Sequence, residues 1–228
     1  MTTQYNLRIP FSWEERKSLV QDRFWFVPQR IDYKSYTFPG WEHIDFFLNK
    51  APICVEYCSG NGHWILEKAV ENPDKNWVAV EKRFDRAKKI WLKVKKQNIP
   101  NLVVVWAEAN GWTSNYIPAA SVDEIFINFP DPWPKRKHMK NRLLTPEFVH
   151  EMVRILKEQR TITFVTDHEG YSEIAIEELL ASPNLKSTID SPYYKEPTRE
   201  YGTSFFEDLF RRQGKTIRLH NFIKESTS

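Results

Sequence analysis

From residue 52 onward the chain alternates short apolar runs with longer amphipathic stretches. Ile53–Tyr57, Asn76–Glu81, Leu102–Trp106, Val122–Ile127 and Thr161–Val165 are strand-length runs rich in valine, isoleucine and aromatic residues. Helical patterns lie between them. The clearest is Phe84–Gln97, where Ala87, Ile90, Trp91 and Val94 form an apolar stripe and Lys88, Lys89, Lys93, Lys95 and Lys96 occupy a solvated face. Thr145-Pro146-Glu147 opens another helix with a capping hydroxyl, a proline in the first turn and an acid at the positive end of the dipole. A further helix carries Ile174, Ala175, Leu179 and Leu180, with Thr166 or Asp167 as the expected cap. This alternation predicts an α/β fold, doubly wound, with a mostly parallel sheet and helices on both faces. Leu185–Asp190 and Lys215–Phe222 are expected to close the sheet as an antiparallel hairpin, and a short helix over Trp41–Leu48 to lead into the first strand.

The first 40 residues lack periodicity but are dense in Phe11, Trp13, Phe24, Trp25, Phe26, Tyr33, Tyr36 and Phe38, interleaved with Arg8, Arg16, Lys17, Arg23, Arg30 and Lys34. Two readings fit: a strap packed over the domain, or an arm that clamps RNA with stacking faces and cations together. The chain accordingly divides into an extension, 1–40, and one domain, 41–228.

Net charge is only +3, so the total says little about partners, but the cations are clustered. Lys135, Arg136, Lys137, Lys140 and Arg142 form one group and Arg211, Arg212 and Lys215 another, the footprint of a phosphate-bearing partner. Among the nine tryptophans, Trp112 and Trp133 fall on expected loops and are candidates for base contact. The two cysteines, Cys54 and Cys58, lack the further Cys or His ligands that zinc requires, so no metal is expected and both are read as reduced thiols. The start lacks the basic flank and apolar core of a leader, and no apolar run approaches the roughly 20 residues that cross a bilayer. A cytoplasmic protein with no membrane contact is expected, its oligomeric state left open.

Candidate chemistry gathers at the strand ends. The first strand closes on Glu56 and leads into Gly60-Asn61-Gly62, a turn whose glycines let a ligand approach the backbone at a helix N-terminus. The second strand ends in Glu81, where a carboxylate can accept both hydroxyls of a ribose, and the third is followed by Glu108 and Asn110. Acids at three successive strand ends describe a nucleoside site along one sheet edge. Ile65 stands where a dinucleotide fingerprint needs its third glycine, which favours S-adenosylmethionine over a nicotinamide cofactor.

The strand over Val122–Ile127 leads into Asn128-Phe129-Pro130-Asp131-Pro132-Trp133-Pro134-Lys135. Three prolines make this a stiff, extended loop presenting an amide, a carboxylate and a flat aromatic ring ahead of the first cation cluster. Such a loop can grip a planar base and then its phosphates. A proline-stiffened surface turn is the bland alternative.

Glu56-x-x-x-Gly60-x-Gly62, Val80-Glu81, Glu108-Ala109, the loop from Asn128 to Lys135, Thr166-Asp167-His168 and Ser204-Phe205-Phe206-Glu207 occur in that order. In this the chain, from about Pro52 to its C-terminus, resembles the bacterial tRNA (guanine-N7-)-methyltransferases. The resemblance implies the seven-stranded Rossmann-like sheet of class I methyltransferases. It implies methyl transfer from S-adenosylmethionine to guanosine 46 of the tRNA variable loop. Glu56, Gly60, Glu81, Glu108 and Asp131 would bind the cofactor, and Asp131 would also act at the chemistry. Lys135, Asp167, Ser204, Phe205, Phe206 and Glu207 would meet the tRNA. The chain departs from the family pattern at Cys58, where a glycine is usual, at Glu108 in place of aspartate, and at Ser204 and Phe206 in place of threonine and tyrosine. Two alternatives stay open: a class I methyltransferase acting on another nucleobase or a protein amine, and a non-catalytic RNA-binding module with a vestigial cofactor fold. Intact acids at all three strand ends argue against the second.

Overall fold

The structure, a computed structural model, describes residues 5–133, 141–202 and 205–226, with the side chains at 205 and 206 not described. In chain order the elements are β1 (Leu19–Gln21), β2 (Phe24–Phe26), β3 (Ile53–Tyr57), α1 (His63–Glu71), β4 (Asn76–Glu81), α2 (Phe84–Gln97), β5 (Leu102–Trp106) and α3 (Ala109–Tyr116). They continue with β6 (Val122–Asn128), α4 (Pro146–Ile155), β7 (Leu156–Thr166), α5 (Glu169–Leu180), β8 (Leu185–Ser187), α6 (Phe205–Arg212) and β9 (Arg218–Lys224).

These strands form one sheet in the order β1-β2-β5-β4-β3-β6-β7-β9-β8. From β2 to β7 every neighbouring pair is parallel, while β1, β9 and β8 join antiparallel. Among the described residues nine strands stand where seven were expected, because residues 19–26 add β1 and β2 outside β5. Phe24, Trp25 and Phe26 are fully buried there, with Trp25 stacked on Phe38 at 5.3 Å. The aromatic density of the N-terminal stretch is thus largely core, and Trp13, 60% exposed beneath the Arg16 guanidinium, is the exception.

Helices cover both faces. One core holds Val55, Tyr57, Val78, Val80 and Ile125 under α3, α4 and α5. The other holds Cys54, Ala79, Val104 and Phe126 under α1 and α2. Helix α2 spans the residues its periodicity predicts, and Thr145 caps α4 by accepting from the Phe148 amide. The helix expected over Trp41–Leu48 does not form. That stretch is a run of turns ending at Leu48 with φ 58°, and it buries Trp41, Phe46 and Phe47 without a helical period. At the far edge β8 and β9 pair antiparallel as expected, but β9 lies between β7 and β8. No helix among the described residues is long and apolar enough to cross a membrane.

Candidate active site

After β3 the chain winds outward through β4 and β5, then returns to lay β6 on the other side of β3. The direction of winding therefore reverses between β3 and β6, and the carboxyl ends of these strands part into a crevice. The turn after β3 and the proline loop after β6 are its two lips.

The first lip is a strained backbone. Cys58, Gly60 and Gly62 all have positive φ, at 61°, 56° and 75°. Gly62 admits no side chain: a Cβ there would lie 2.8 Å from Ile90 Cγ1 of α2. Cys58 holds its left-handed conformation at the usual cost of about 1–2 kcal/mol for an L-residue. Burial first, and then the charges of Glu81 and Asp131, push its thiol up to about 12, so it remains a thiol rather than a nucleophile. Cys58→Gly is therefore expected to leave stability in urea unchanged or raise it by up to ~1 kcal/mol, against the usual loss on introducing glycine. Cys58→Val, β-branched at the same φ, is expected to lower it.

Glu56 lies within the sheet, 2% exposed. Its Oε1 accepts from Asn128 Nδ2 at 2.9 Å, and Oε2 has no hydrogen-bond partner among the described residues. Burial, opposed by the bond from Asn128, lifts its pKa from the ordinary 4.5 to about 7. An acid whose folded pKa is raised binds its proton more tightly than the unfolded chain does. Its contribution to stability is full below the ordinary value and is lost as pH rises to about 7. Glu56→Gln removes that penalty. The cofactor-free protein should gain roughly 3 kcal/mol above about pH 8 and almost nothing below about pH 4, read as unfolding free energy.

Glu81 is also buried, and both its oxygens serve the backbone: Oε2 accepts from Gly60 N at 2.9 Å and Oε1 from Arg83 N at 2.8 Å. It staples the first lip to the end of β4. Burial raises its pKa, and these two bonds hold it down in part. Glu108 caps α3, accepting from Asn110 N at 3.1 Å and Gly111 N at 2.7 Å. The acids at the strand ends thus fall at one edge of the sheet and also brace its turns.

The second lip begins at Asn128, the last residue of β6. Phe129 and Trp133 have φ 48° and 42°, so the backbone turns at both ends of Pro130-Asp131-Pro132. Asp131 is exposed, and its charge acts on the Cys58 thiol across the crevice. Arg142 belongs to this lip rather than to a free cation cluster. Its Nε donates to the Pro132 carbonyl at 2.8 Å while its guanidinium lies 5.4 Å from the Tyr171 ring centroid. Lys135, Arg136, Lys137 and Lys140 lie outside the described residues.

Asp167 follows β7 and pairs with Lys215. Glu207, on α6, is buried and accepts from Arg211 Nε at 2.9 Å, and Arg211 also reaches Glu196 at 3.1 Å. The second group of cations is therefore largely matched by acids rather than free for phosphates. Ser204 lies outside the described residues, and Phe205 and Phe206 begin α6. The cap of α5 is His168, whose Nδ1 accepts from Tyr171 N at 3.2 Å, rather than Thr166 or Asp167. Trp112 is not a base contact: it lies on α3, wholly buried against Trp25 and Tyr57.

One residue at the crevice had no signal in the sequence. Tyr201 sits on a 3-10 turn 73 positions beyond Asn128, and its hydroxyl donates to Asn128 Oδ1 at 2.6 Å. A hollow of about 350 Å³ beside the first lip is lined by Asn61, His63, Lys89, Leu92, Lys93 and Lys96.

A family model described as "Putative methyltransferase" matches residues 50–219. A tRNA (guanine-N(7)-)-methyltransferase of Chlamydia muridarum is 40% identical over 222 residues, covering 96% of each chain. Among solved structures, an antibiotic-related methyltransferase superposes with a TM-score of 0.55 at 18% identity, over 79% of this chain and 90% of that one. A geranyl diphosphate C-methyltransferase of Streptomyces coelicolor, solved with S-adenosyl-L-homocysteine, superposes with a TM-score of 0.51 at 13% identity, over 78% and 76%. At such identities these two likenesses speak for the fold alone.

Proposed function

This chain belongs to the tRNA (guanine-N(7)-)-methyltransferase family, and from that membership we propose that it transfers a methyl group from S-adenosylmethionine to N7 of a guanosine in tRNA. The finer reading is guanosine 46, in the variable loop. The support that carries methyl transfer to a tRNA guanine is the loop from Asn128 to Trp133 flanking a crevice beside Glu56 and Glu81, in a chain 40% identical to such an enzyme.

The crevice suits the cofactor. Glu56 Oε2, buried and without a hydrogen-bond partner among the described residues, is an acceptor available to a donor from outside the chain. Glu81 keeps lone pairs beyond its two backbone bonds, and these can take ribose hydroxyls. Gly60 lets the ligand approach the turn, and Glu108 and Asp131 complete the set. When bound, S-adenosylmethionine supplies an electrophilic methyl group on a sulfonium.

Guanine N7 carries a lone pair and no proton. Its methylation needs no general base, and the crevice presents carboxylates and an amide. What remains is placement of the base, which contributes up to roughly 7–11 kcal/mol in well-oriented systems. Asp131 is the residue we assign to the chemistry. Its carboxylate can accept from the guanine N1–H and amino group and favour the positive charge that forms on the purine. Lys135, Asp167 and Ser204 to Glu207 would hold the tRNA, and the base would be unstacked to enter, as enzymes acting on bases require.

The test is transfer from labelled S-adenosylmethionine to bulk tRNA lacking the modification, with the product mapped by cleavage selective for 7-methylguanosine. Transfer to protein or free nucleotides, with none to tRNA, would overturn the reading. Label at a different guanosine would overturn the position alone.

A further inference from the structure

The segment 199–202 folds back over α1. Trp64 Nε1 donates to the Tyr201 carbonyl at 2.7 Å, Lys68 Nζ to the Glu200 carbonyl at 3.1 Å, and the Tyr201 and Trp64 rings lie 5.3 Å apart. Gly202 suits this docking, since its backbone lies where L side chains are strained. Its φ is +87°, and a Cβ there would sit 2.8 Å from Lys68 Cε. The segment is thus held at three points, and it carries the Tyr201 hydroxyl down to the end of β6.

At that point a chain of polar groups begins. Tyr201 OH donates to Asn128 Oδ1 at 2.6 Å, and Asn128 Nδ2 donates to Glu56 Oε1 at 2.9 Å. An amide has one acceptor end and one donor end, so the two bonds depend on each other. With the phenol donating to its oxygen, Asn128 must turn its NH2 toward Glu56. That arrangement favours the carboxylate. In the opposite arrangement Asn128 Oδ1 would face Glu56, and only a protonated Glu56 could bond to it. A tyrosine hydroxyl donating to Oδ1 supports the first of these states, since in the second the phenol could only accept from the amide and its own O–H would need another acceptor.

We propose that Tyr201 is a positioning residue for the cofactor site, acting through the Asn128 amide to hold Glu56 as a hydrogen-bond acceptor toward the cofactor. The proposal rests on the reading of the crevice as an S-adenosylmethionine site. It adds a residue from the C-terminal segment to that site's machinery. The same backbone continues into the segment assigned to the tRNA.

Few groups around Glu56 can titrate. Cys58 on the turn stays a thiol, raised to about 12. Tyr201 is half-buried, and its phenol is held well above its ordinary value of 10, by desolvation first and then by Glu56 and Glu207. Glu81, across on β4, adds a like charge that raises Glu56 further. Glu56 itself is centred at about 7, and following its own carboxyl carbon separates it from Glu81, which burial also raises.

The experiment has two arms. In the cofactor-free protein, the Glu56 carboxyl carbon is followed by NMR against pH in the parent and in Tyr201→Phe. The Phe variant is expected to move the Glu56 midpoint upward by about half a pH unit or more, because it removes the donor that selects the carboxylate-facing amide. In the second arm, S-adenosylhomocysteine affinity is measured by calorimetry across the same range. It should rise with pH through the Glu56 midpoint, and the Phe profile should shift to higher pH with it. Asn128→Ala and Asn128→Ala/Tyr201→Phe should titrate alike, since without the amide the phenol has nothing to orient.

An unmoved midpoint in Tyr201→Phe, or an additive effect in the double variant, would overturn the proposal and leave Tyr201 a packing residue. Should Tyr201→Phe fail to fold, 3-fluorotyrosine at position 201, a stronger donor of the same shape, should move the midpoint the other way. No movement there would overturn it equally. If the parent binds no S-adenosylhomocysteine, the cofactor reading fails while the NMR arm still decides the role of Tyr201.

Discussion

Asp131→Ala is expected to lower the single-turnover rate of methyl transfer by about a hundredfold or more at saturating tRNA and cofactor, the usual effect of losing one preorganised electrostatic group. The backbone explains why this carboxylate is suited to the task. Asp131 sits between two prolines, and the chain turns through positive φ at Phe129 and again at Trp133. The Arg142 guanidinium ties the Pro132 carbonyl in place, and Phe129 N donates to the Val165 carbonyl at 2.9 Å. The backbone that carries the side chain is therefore set by the fold before substrate arrives. Asp131 is exposed where the other acids of the crevice are buried or committed to backbone amides. Asp131→Asn should recover little, since an amide offers one acceptor and no charge to face two guanine donors and a forming cation. A near-parental rate in both variants, with the fold intact, would remove Asp131 from the chemistry.

Glu81→Ala should weaken cofactor binding by about 1.5–3 kcal/mol, or roughly 10- to 150-fold in Kd, the range for hydrogen bonds to a charged group. The same substitution orphans the amides of Gly60 and Arg83, which both donate to this carboxylate. Loss of affinity should therefore come with a lower unfolding free energy. Glu81→Gln keeps one carbonyl oxygen for one of the two amides and should fall between. Equilibrium binding of S-adenosylhomocysteine together with urea unfolding separates the two effects. An unchanged Kd in Glu81→Ala would refute the cofactor assignment, and unchanged stability would refute the staple.

Much of the frame was legible because it rests on local period. Helix α2 runs over the residues whose apolar stripe repeats at helical spacing, and α4 starts where a hydroxyl, a proline and an acid fall in sequence. The parallel core of the sheet follows from strands separated by helices, and the acids Glu56 and Glu81 announce themselves by ending apolar runs. The aromatic run at Phe24–Phe26 was not legible as sheet. Three consecutive buried residues have no alternation, and their partner, β5, lies some eighty positions away.

What the chain determined alone is the kind of residue at each strand end and the stiffness of the proline loop, since both depend on neighbours within a few positions. Which partner each polar group took was decided by the tertiary structure. Asn128 meets Glu56 across 72 positions because β6 pairs with β3, and Tyr201 meets Asn128 across 73 because a docked segment crosses α1. Asp167 meets Lys215, and Glu207 is buried against Arg211, so cations that look free in sequence are matched in space. Periodicity records which face of an element turns inward. Hydrogen bonds and ion pairs depend on angstrom distances between elements far apart in the chain, and strand register and helix docking set those distances.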